Sequence, residues 1–256
     1  MPVARFSPMN CAFSLFQAAS FRATIAMCAI ALLQLRASDH TTPAAPAAAS
    51  ATPAAAAHGE PAAPRPTPEQ ALQLLVDGNA RFVAGHPERP NQSVARRVEV
   101  ASGQAPFAVI VTCSDSRVSP ELYFDQGLGD LFVVRDAGHT LNDHVIGSIE
   151  YAVEHLHASL VIVVGHEKCG AVAAAVAGGK APGRIGTIVE AIRPAVHETR
   201  NQAGDKVDNA IRGNARRVAK SLATTGPILS HAVQSGGIKV FAARYDLASG
   251  RVELLP

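Results

Sequence analysis

Short apolar runs recur from residue 107 to near the end of the chain, and each is continuous rather than alternating with polar residues. They are five or six residues long and rich in Val, Ile and Phe, which is typical of parallel strands covered on both faces. Strands are therefore predicted over residues 107–112, 130–134, 160–164 and 238–243, with a candidate edge strand at 251–254.

Between these runs the apolar positions return every three or four residues, which indicates amphipathic helices. Thr67 and Gln70 form a capping box with Pro68 at the first helical position, so a helix is predicted from there to near Gly85. Further helices are predicted over residues 143–156, 170–177 and, with breaks, 185–210. Strands that alternate with helices predict an α/β fold with a mostly parallel central β-sheet flanked by helices.

The N-terminal part has a different pattern. Residues 1–38 carry basic residues, no acidic one, and an uncharged apolar run over 23–35 that is short for a membrane span, so they are interpreted as a signal peptide or targeting segment. We expect export to the periplasm, with no stable membrane span after processing. The alternatives are an uncleaved signal anchor, or a misassigned start codon that would leave the protein in the cytoplasm. Residues 39–66, rich in Ala and Pro, are predicted to be a disordered linker before a folded domain over 67–256.

Composition narrows the classes of partner. Hydrophobic residues make up 48% of the chain and charged residues 17%, so a sizeable core is expected. The formal net charge is only +2, and no basic stripe is interleaved with aromatic residues, so nothing in the sequence supports nucleic-acid binding. Of the four cysteines, Cys11 and Cys28 lie in the targeting segment, which leaves Cys113 and Cys169 for the folded domain.

Those two cysteines each follow a predicted strand. Cys113 comes directly after 107–112, and His166 and Cys169 come after 160–164. Because the carboxyl ends of parallel strands meet at one edge of a sheet, these three side chains are expected to lie together. Two thiolates and an imidazole suit zinc, and three protein ligands leave the fourth position for water, as in catalytic zinc sites. A disulfide between the cysteines, or buried thiols without metal, is the alternative.

Two charged residues accompany the first cysteine. Asp115 could ligate a metal or accept a hydrogen bond from its water, and Arg117 could hold that carboxylate through a bidentate pair. Such a pair would keep Asp115 ionised and leave the fourth metal position free. A simple ion pair in a loop is the alternative.

Taken together, the segments CSDSR at 113–117 and HEKCG at 166–170 resemble the signature of the β-class carbonic anhydrases, and the sequence over 120–135 is similar to that of the same family. The resemblance covers roughly residues 67–254. It implies one Zn²⁺ per chain bound by Cys113, His166 and Cys169, with Asp115 and Arg117 as the catalytic pair. It further implies reversible hydration of carbon dioxide to bicarbonate and a proton, an N-terminal helical arm that embraces a partner, and a homodimer or homotetramer.

Some positions depart from the family pattern. Asp136 and His139 stand where family members often have Asn, which leaves the surroundings of the metal and the proton route open. His139 and His144 could relay the product proton. A solvent-exposed loop histidine is the simpler interpretation of both.

Three rival functions share parts of this evidence. Carbon disulfide or carbonyl sulfide hydrolysis would use the same ligands, and a non-catalytic zinc-binding protein would use them without turnover. A thiol-nucleophile enzyme would instead pair Cys169 with His166.

Overall fold

The computed structural model describes residues 65–256. The predicted targeting segment, 1–38, and residues 39–64 of the predicted linker lie outside the described residues. The described part contains a five-stranded sheet in the order β2-β1-β3-β4-β5. The first four strands are parallel and β5 pairs antiparallel with β4, so the prediction of a mostly parallel sheet is confirmed. Their bounds are β1 Ala108–Thr112, β2 Leu131–Arg135, β3 Leu160–His166, β4 Lys239–Tyr245 and β5 Val252–Leu255.

Helices cover both faces of this sheet. They are α1 Pro68–Val83, α2 Val94–Glu99, α3 Pro120–Tyr123, α4 Asp143–Glu154, α5 Gly170–Ala177, α6 Ile185–Thr199, α7 Lys206–Thr224 and α8 Pro227–Gln234. The capping box at the start of α1 is confirmed, since Thr67 accepts from the Gln70 backbone and the Gln70 side chain accepts from the Thr67 backbone. Across 65–256 no helix combines the length and the apolar character that a membrane crossing requires.

The sequence prediction for 185–210 is only partly correct. This region forms two helices, α6 and α7, and the second begins at Lys206 behind an Asp205 cap and continues to Thr224. The helices α2, α3 and α8 were not predicted.

The sheet buries both of its faces, and the alternation of side chains along the two central strands shows how. Odd-numbered residues such as Val109 and Val161 pack in one cluster with residues of α4 and α7. Even-numbered residues such as Ile110 and Ile162 pack on the other face with residues of α1 and α3. Every residue of β1 and β3 is buried, which explains why these strands read as continuous apolar runs.

The carboxyl ends of the two central strands define one edge of the domain. Thr112 is in register with Val164, so β1 stops two residues earlier along the sheet than β3, which continues to His166. That extension pairs with β4, where His166 lies opposite Tyr245. The residues after β1 and at the end of β3 therefore share this edge, where open α/β sheets place their functional groups.

Candidate metal centre

Three ligand-bearing side chains meet at this edge. One ligand atom from each of Cys113, His166 and Cys169 lies within 4.8 Å of the other two, and all three residues are buried. The two sulfur atoms are 4.0 Å apart and both cysteines are free. A disulfide requires about 2 Å between its sulfur atoms, so these thiols are unbridged in the structure.

Each candidate ligand is positioned by a different element. Cys113 is the first residue beyond β1, and His166 is the last residue of β3. Cys169 is the residue just before α5, and the chain reaches it through Lys168, whose φ of 54° makes the tight turn between strand and helix. The parallel pairing of β1 with β3 brings residues that are some fifty positions apart in the chain to the same point.

The histidine presents a free nitrogen to the two sulfurs. Its Nδ1 is 2.9 Å from the Glu167 carbonyl oxygen. Because a carbonyl can only accept, Nδ1 carries the proton and Nε2 keeps its lone pair. Nε2 is buried and has no hydrogen-bond partner among residues 65–256. An unsatisfied nitrogen beside two thiols is the donor set that Zn²⁺ binds, so the residues present fit this metal.

The thiol of Cys113 is prepared for metal binding. Its sulfur accepts a hydrogen bond from the Gly138 backbone N–H at 3.2 Å. Hydrogen bonding from the Cys169 thiol, helped by that N–H, lowers the pKa of Cys113 well below its ordinary value. Hydrogen bonding with Cys113 in turn raises the pKa of Cys169, so the interaction shifts the pKa values of the two thiols in opposite directions. A divalent cation would favour deprotonation of both.

The ion pair of Asp115 and Arg117 flanks the candidate ligands on the solvent side. Asp115 accepts two hydrogen bonds from the Arg117 guanidinium, at 2.9 and 2.7 Å, and one from the Arg117 backbone N–H at 2.9 Å. These bonds lower the pKa of Asp115 far below the usual range of a carboxyl group, so it stays ionised. Its Oδ2 lies 3.9 Å from the free Nε2 of His166, which puts a carboxylate oxygen next to the donor set.

Comparison with known proteins identifies the family. A family profile described as carbonic anhydrase matches residues 108–252. Carbonic anhydrase 2 of Mycobacterium tuberculosis is 42% identical over 195 residues, which cover 75% of this chain and 94% of that protein. The chain belongs to the carbonic anhydrase family.

Solved structures place this carbonic anhydrase in the β class. The β-carbonic anhydrase CafA of Aspergillus fumigatus is 28% identical, with a TM-score of 0.55 over 73% of this chain and 89% of that one. One of two tetrameric β-carbonic anhydrases of Sordaria macrospora shares the fold at 23% identity, with a TM-score of 0.60 over 72% of this chain and 96% of that one. The predicted fold class and family are thus confirmed, while the role of each site residue stays a prediction.

Arg135 is a residue at this carbonic anhydrase site to which the sequence analysis gave no role. It ends β2, next to β1, and its guanidinium donates to the Cys113 carbonyl at 3.1 Å and to the Asp115 carbonyl at 2.8 Å. It therefore clamps the loop that carries a proposed ligand and the proposed catalytic carboxylate. Its place at the carboxyl end of the neighbouring strand was the available signal.

The two histidines after β2 have different environments. His139 is fully buried, so its interpretation as a solvent-exposed loop residue is wrong; the turn that carries it packs against α5 and α6, and Asn214 of α7 contacts its ring. Burial lowers the pKa of His139 to about 4. His144 is exposed in the first turn of α4. Asp136, the other departure from the family pattern, accepts hydrogen bonds from the Ala137 N–H and the Thr140 hydroxyl and so closes the turn.

Proposed function

We propose that this carbonic anhydrase converts carbon dioxide and water into bicarbonate and a proton, reversibly, at a zinc ion held by Cys113, His166 and Cys169. The observation that carries the proposal is the buried cluster of two thiols and an unpartnered imidazole nitrogen, open on one side to an ionised carboxylate. The family supports the same activity.

Zinc would supply the usual chemistry of such sites, a water with a pKa near 7. The chain's own groups then orient the reaction. Asp115 can only accept hydrogen bonds, so it takes one from the attacking water and turns the oxygen lone pair toward the substrate carbon. Arg117 holds the carboxylate by two parallel bonds, which keeps Asp115 in place and ionised. The product proton leaves toward solvent on this side, where half of the Arg117 side chain is exposed.

Among the rival functions, burial disfavours the thiol nucleophile. Cys169 has no exposed surface, and a nucleophile must reach its substrate. The interaction with the Cys113 thiol also raises the pKa of Cys169, whereas an activated nucleophile needs a lowered one.

The direct test measures zinc and turnover on the same preparation. Wild-type protein is expected to hold about one zinc per chain and to hydrate carbon dioxide in stopped-flow assays. Cys113→Ser and His166→Ala are expected to lose both. Zinc near one equivalent in either variant would contradict the ligand assignment. Hydrolysis of carbonyl sulfide or carbon disulfide by zinc-loaded wild type, without carbon dioxide hydration, would favour the rival substrate class.

We also propose that the chain forms a homo-oligomer. Support comes from the resemblance, which implies a dimer or tetramer, and from the tetrameric state of the two Sordaria macrospora proteins. Light scattering of the zinc-loaded protein after size-exclusion chromatography measures the assembly mass. A mass of one chain at micromolar concentration would contradict the proposal.

We further propose export to the periplasm, directed by residues 1–38. The basic, acid-free start and the apolar run over 23–35 support it. Cell fractionation with N-terminal sequencing of the recovered protein tests this. Protein that starts at its first methionine and remains in the cytoplasm would contradict it.

A further inference from the structure

A short turn beside the metal centre supports one of the proposed ligands. Residues Ala137–His139 form a short turn in which Gly138 and His139 both have positive φ, and the Gly138 N–H points at the Cys113 sulfur from 3.2 Å. Gly138 has a φ of 71°, and a Cβ at this position would lie 2.6 Å from the Ile192 side chain. A contact that fixes this turn therefore also fixes the hydrogen bond from the Gly138 N–H to the sulfur of the proposed ligand Cys113.

The turn is held from behind by a buried amide. Asn214, on α7, is 1% exposed, and its Nδ2 is 3.0 Å from the Gly138 carbonyl oxygen and 3.0 Å from His139 Nε2. A carbonyl oxygen only accepts, so the atom facing it must be the NH₂ group, which has two protons to donate. The second proton goes to His139. Nε2 must then be an acceptor, and the proton of the imidazole ring is on Nδ1.

The His139 ring is confined on its other sides. The residue is fully buried and has a φ of 45°, a conformation that non-glycine residues adopt at a cost of about 1–2 kcal/mol. A Cβ placed on Gly165 would lie 3.4 Å from His139 Cε1, so the ring rests on the backbone just before His166. The Asn214 amide and the close packing offset the cost of this conformation.

We propose that Asn214 is a positioning residue of the metal centre, holding the Gly138 carbonyl and the Nδ1–H tautomer of His139 so that the Gly138 N–H stays on the Cys113 sulfur. The inference rests on the proposed zinc site. Groups that orient metal ligands typically change metal affinity by about 10- to 100-fold when they are lost. Asn214 touches no proposed ligand, so its effect must pass through this turn.

The first test is Asn214→Asp, which keeps the shape of the side chain and removes both N–H donors. The carboxylate would face the Gly138 carbonyl, and His139 would have to donate from Nε2. Zinc affinity, measured by competition with a chromogenic chelator, is expected to fall about tenfold or more. In the Co²⁺-substituted protein the sulfur-to-cobalt charge-transfer band is expected to shift.

Asn209 provides the matched control. It lies on the same helix, is only partly buried, and its Nδ2 likewise donates to two carbonyls, those of Ala203 at 3.0 Å and Gln202 at 3.4 Å. Asn209→Asp should leave zinc affinity and the cobalt spectrum unchanged. Equal affinities and spectra for Asn214→Asp and wild type would overturn the inference, as would equal losses in both variants.

A second measurement does not depend on whether Asn214→Asp folds. In zinc-loaded wild type labelled with ¹⁵N-histidine, long-range ¹H–¹⁵N spectra distinguish the two neutral tautomers, and His139→Gln assigns the signal. An Nδ1–H tautomer for His139 supports the inference, and an Nε2–H tautomer overturns it even if Asn214→Asp does not fold. Failure of wild type itself to bind zinc would instead refute the proposed function.

Discussion

Asp115→Asn separates the proposed catalytic carboxylate from the metal ligands. The substitution preserves shape but replaces one oxygen by an NH₂ group. In Asp115, Oδ1 accepts from the backbone N–H and Nε of Arg117, and Oδ2 accepts from Nη2 at 2.7 Å. If the oxygen of the new amide takes the position of Oδ1, its NH₂ group takes the position of Oδ2 and faces the Nη2 donor. That NH₂ would also face the reacting water as a donor, whereas Asp115 can only accept.

The expected loss follows from this change. A hydrogen bond to a charged acceptor contributes about 1.5–3 kcal/mol, which corresponds to a roughly 10- to 150-fold lower kcat/KM. The donor–donor contact with Arg117 adds to the loss, so this range is a lower bound. Stability should change little, because the Arg117 side chain is 51% exposed. An exposed pair contributes at most about 1 kcal/mol, or roughly 2–4 °C in Tm for a domain of this size.

The assay combines stopped-flow carbon dioxide hydration with zinc analysis and thermal unfolding of the same samples. Asp77→Asn, which removes an exposed α1 carboxylate bonded to Gln73, controls for loss of one negative charge. Zinc should stay near one equivalent per chain in both variants. A kcat/KM for Asp115→Asn within about threefold of wild type would place the effect below that of one charged hydrogen bond and remove Asp115 from the mechanism. Loss of zinc would mean that the carboxylate is a ligand.

Two predictions concern the scaffold. Gly78→Ala should lower the unfolding free energy in urea by about 3 kcal/mol despite the better helix propensity of Ala, because its Cβ would lie 1.8 Å from the Phe124 carbonyl oxygen. The matched Gly147→Ala, on a helix surface with nothing within 4 Å, should raise it by about 0.5–1 kcal/mol, and equal effects would refute the packing argument. Asp125→Asn should cost about 3 kcal/mol near neutral pH, because the nearly fully buried carboxylate accepts from Arg81 at 2.6 Å. Burial opposes ionisation of Asp125, but hydrogen bonds from Arg81 and from the Glu88 and Arg89 backbones lower its pKa on balance. The stability of the wild type should therefore fall as the pH is lowered below about 4, and the stability of the variant should fall less steeply. An unchanged slope would contradict this.

The central strands and the first helix could be predicted from short-range sequence patterns. The central strands are buried on both faces, so each had to be a continuous apolar run, and β1 and β3 begin within a residue of their predicted starts. The start of α1 depends on a hydrogen-bond exchange between Thr67 and Gln70, which are three positions apart, and was predicted for that reason. The extent of α7 was missed, although Ile211, Ala215, Val218 and Leu222 recur at helical spacing.

Other features depend on neighbours that are distant in the chain. β3 continues through Gly165 and His166 only because β4 supplies partners for them. His139 was interpreted as an exposed loop residue, but it is buried because α5 and α6 pack against its turn and Asn214 of α7 contacts its ring.

The amino-acid sequence by itself determined which residue types stand at the carboxyl ends of the strands, and hence the family and the candidate ligands, because motif chemistry and strand patterns are encoded over a few adjacent positions. Only the tertiary structure decided which groups surround those ligands. The clamp of Arg135 on the β1 loop and the contact of Asn214 with the Gly138 turn join residues 20 and 76 positions apart. Such contacts arise from how helices pack on the sheet, and no local pattern of hydrophobic and polar positions encodes them.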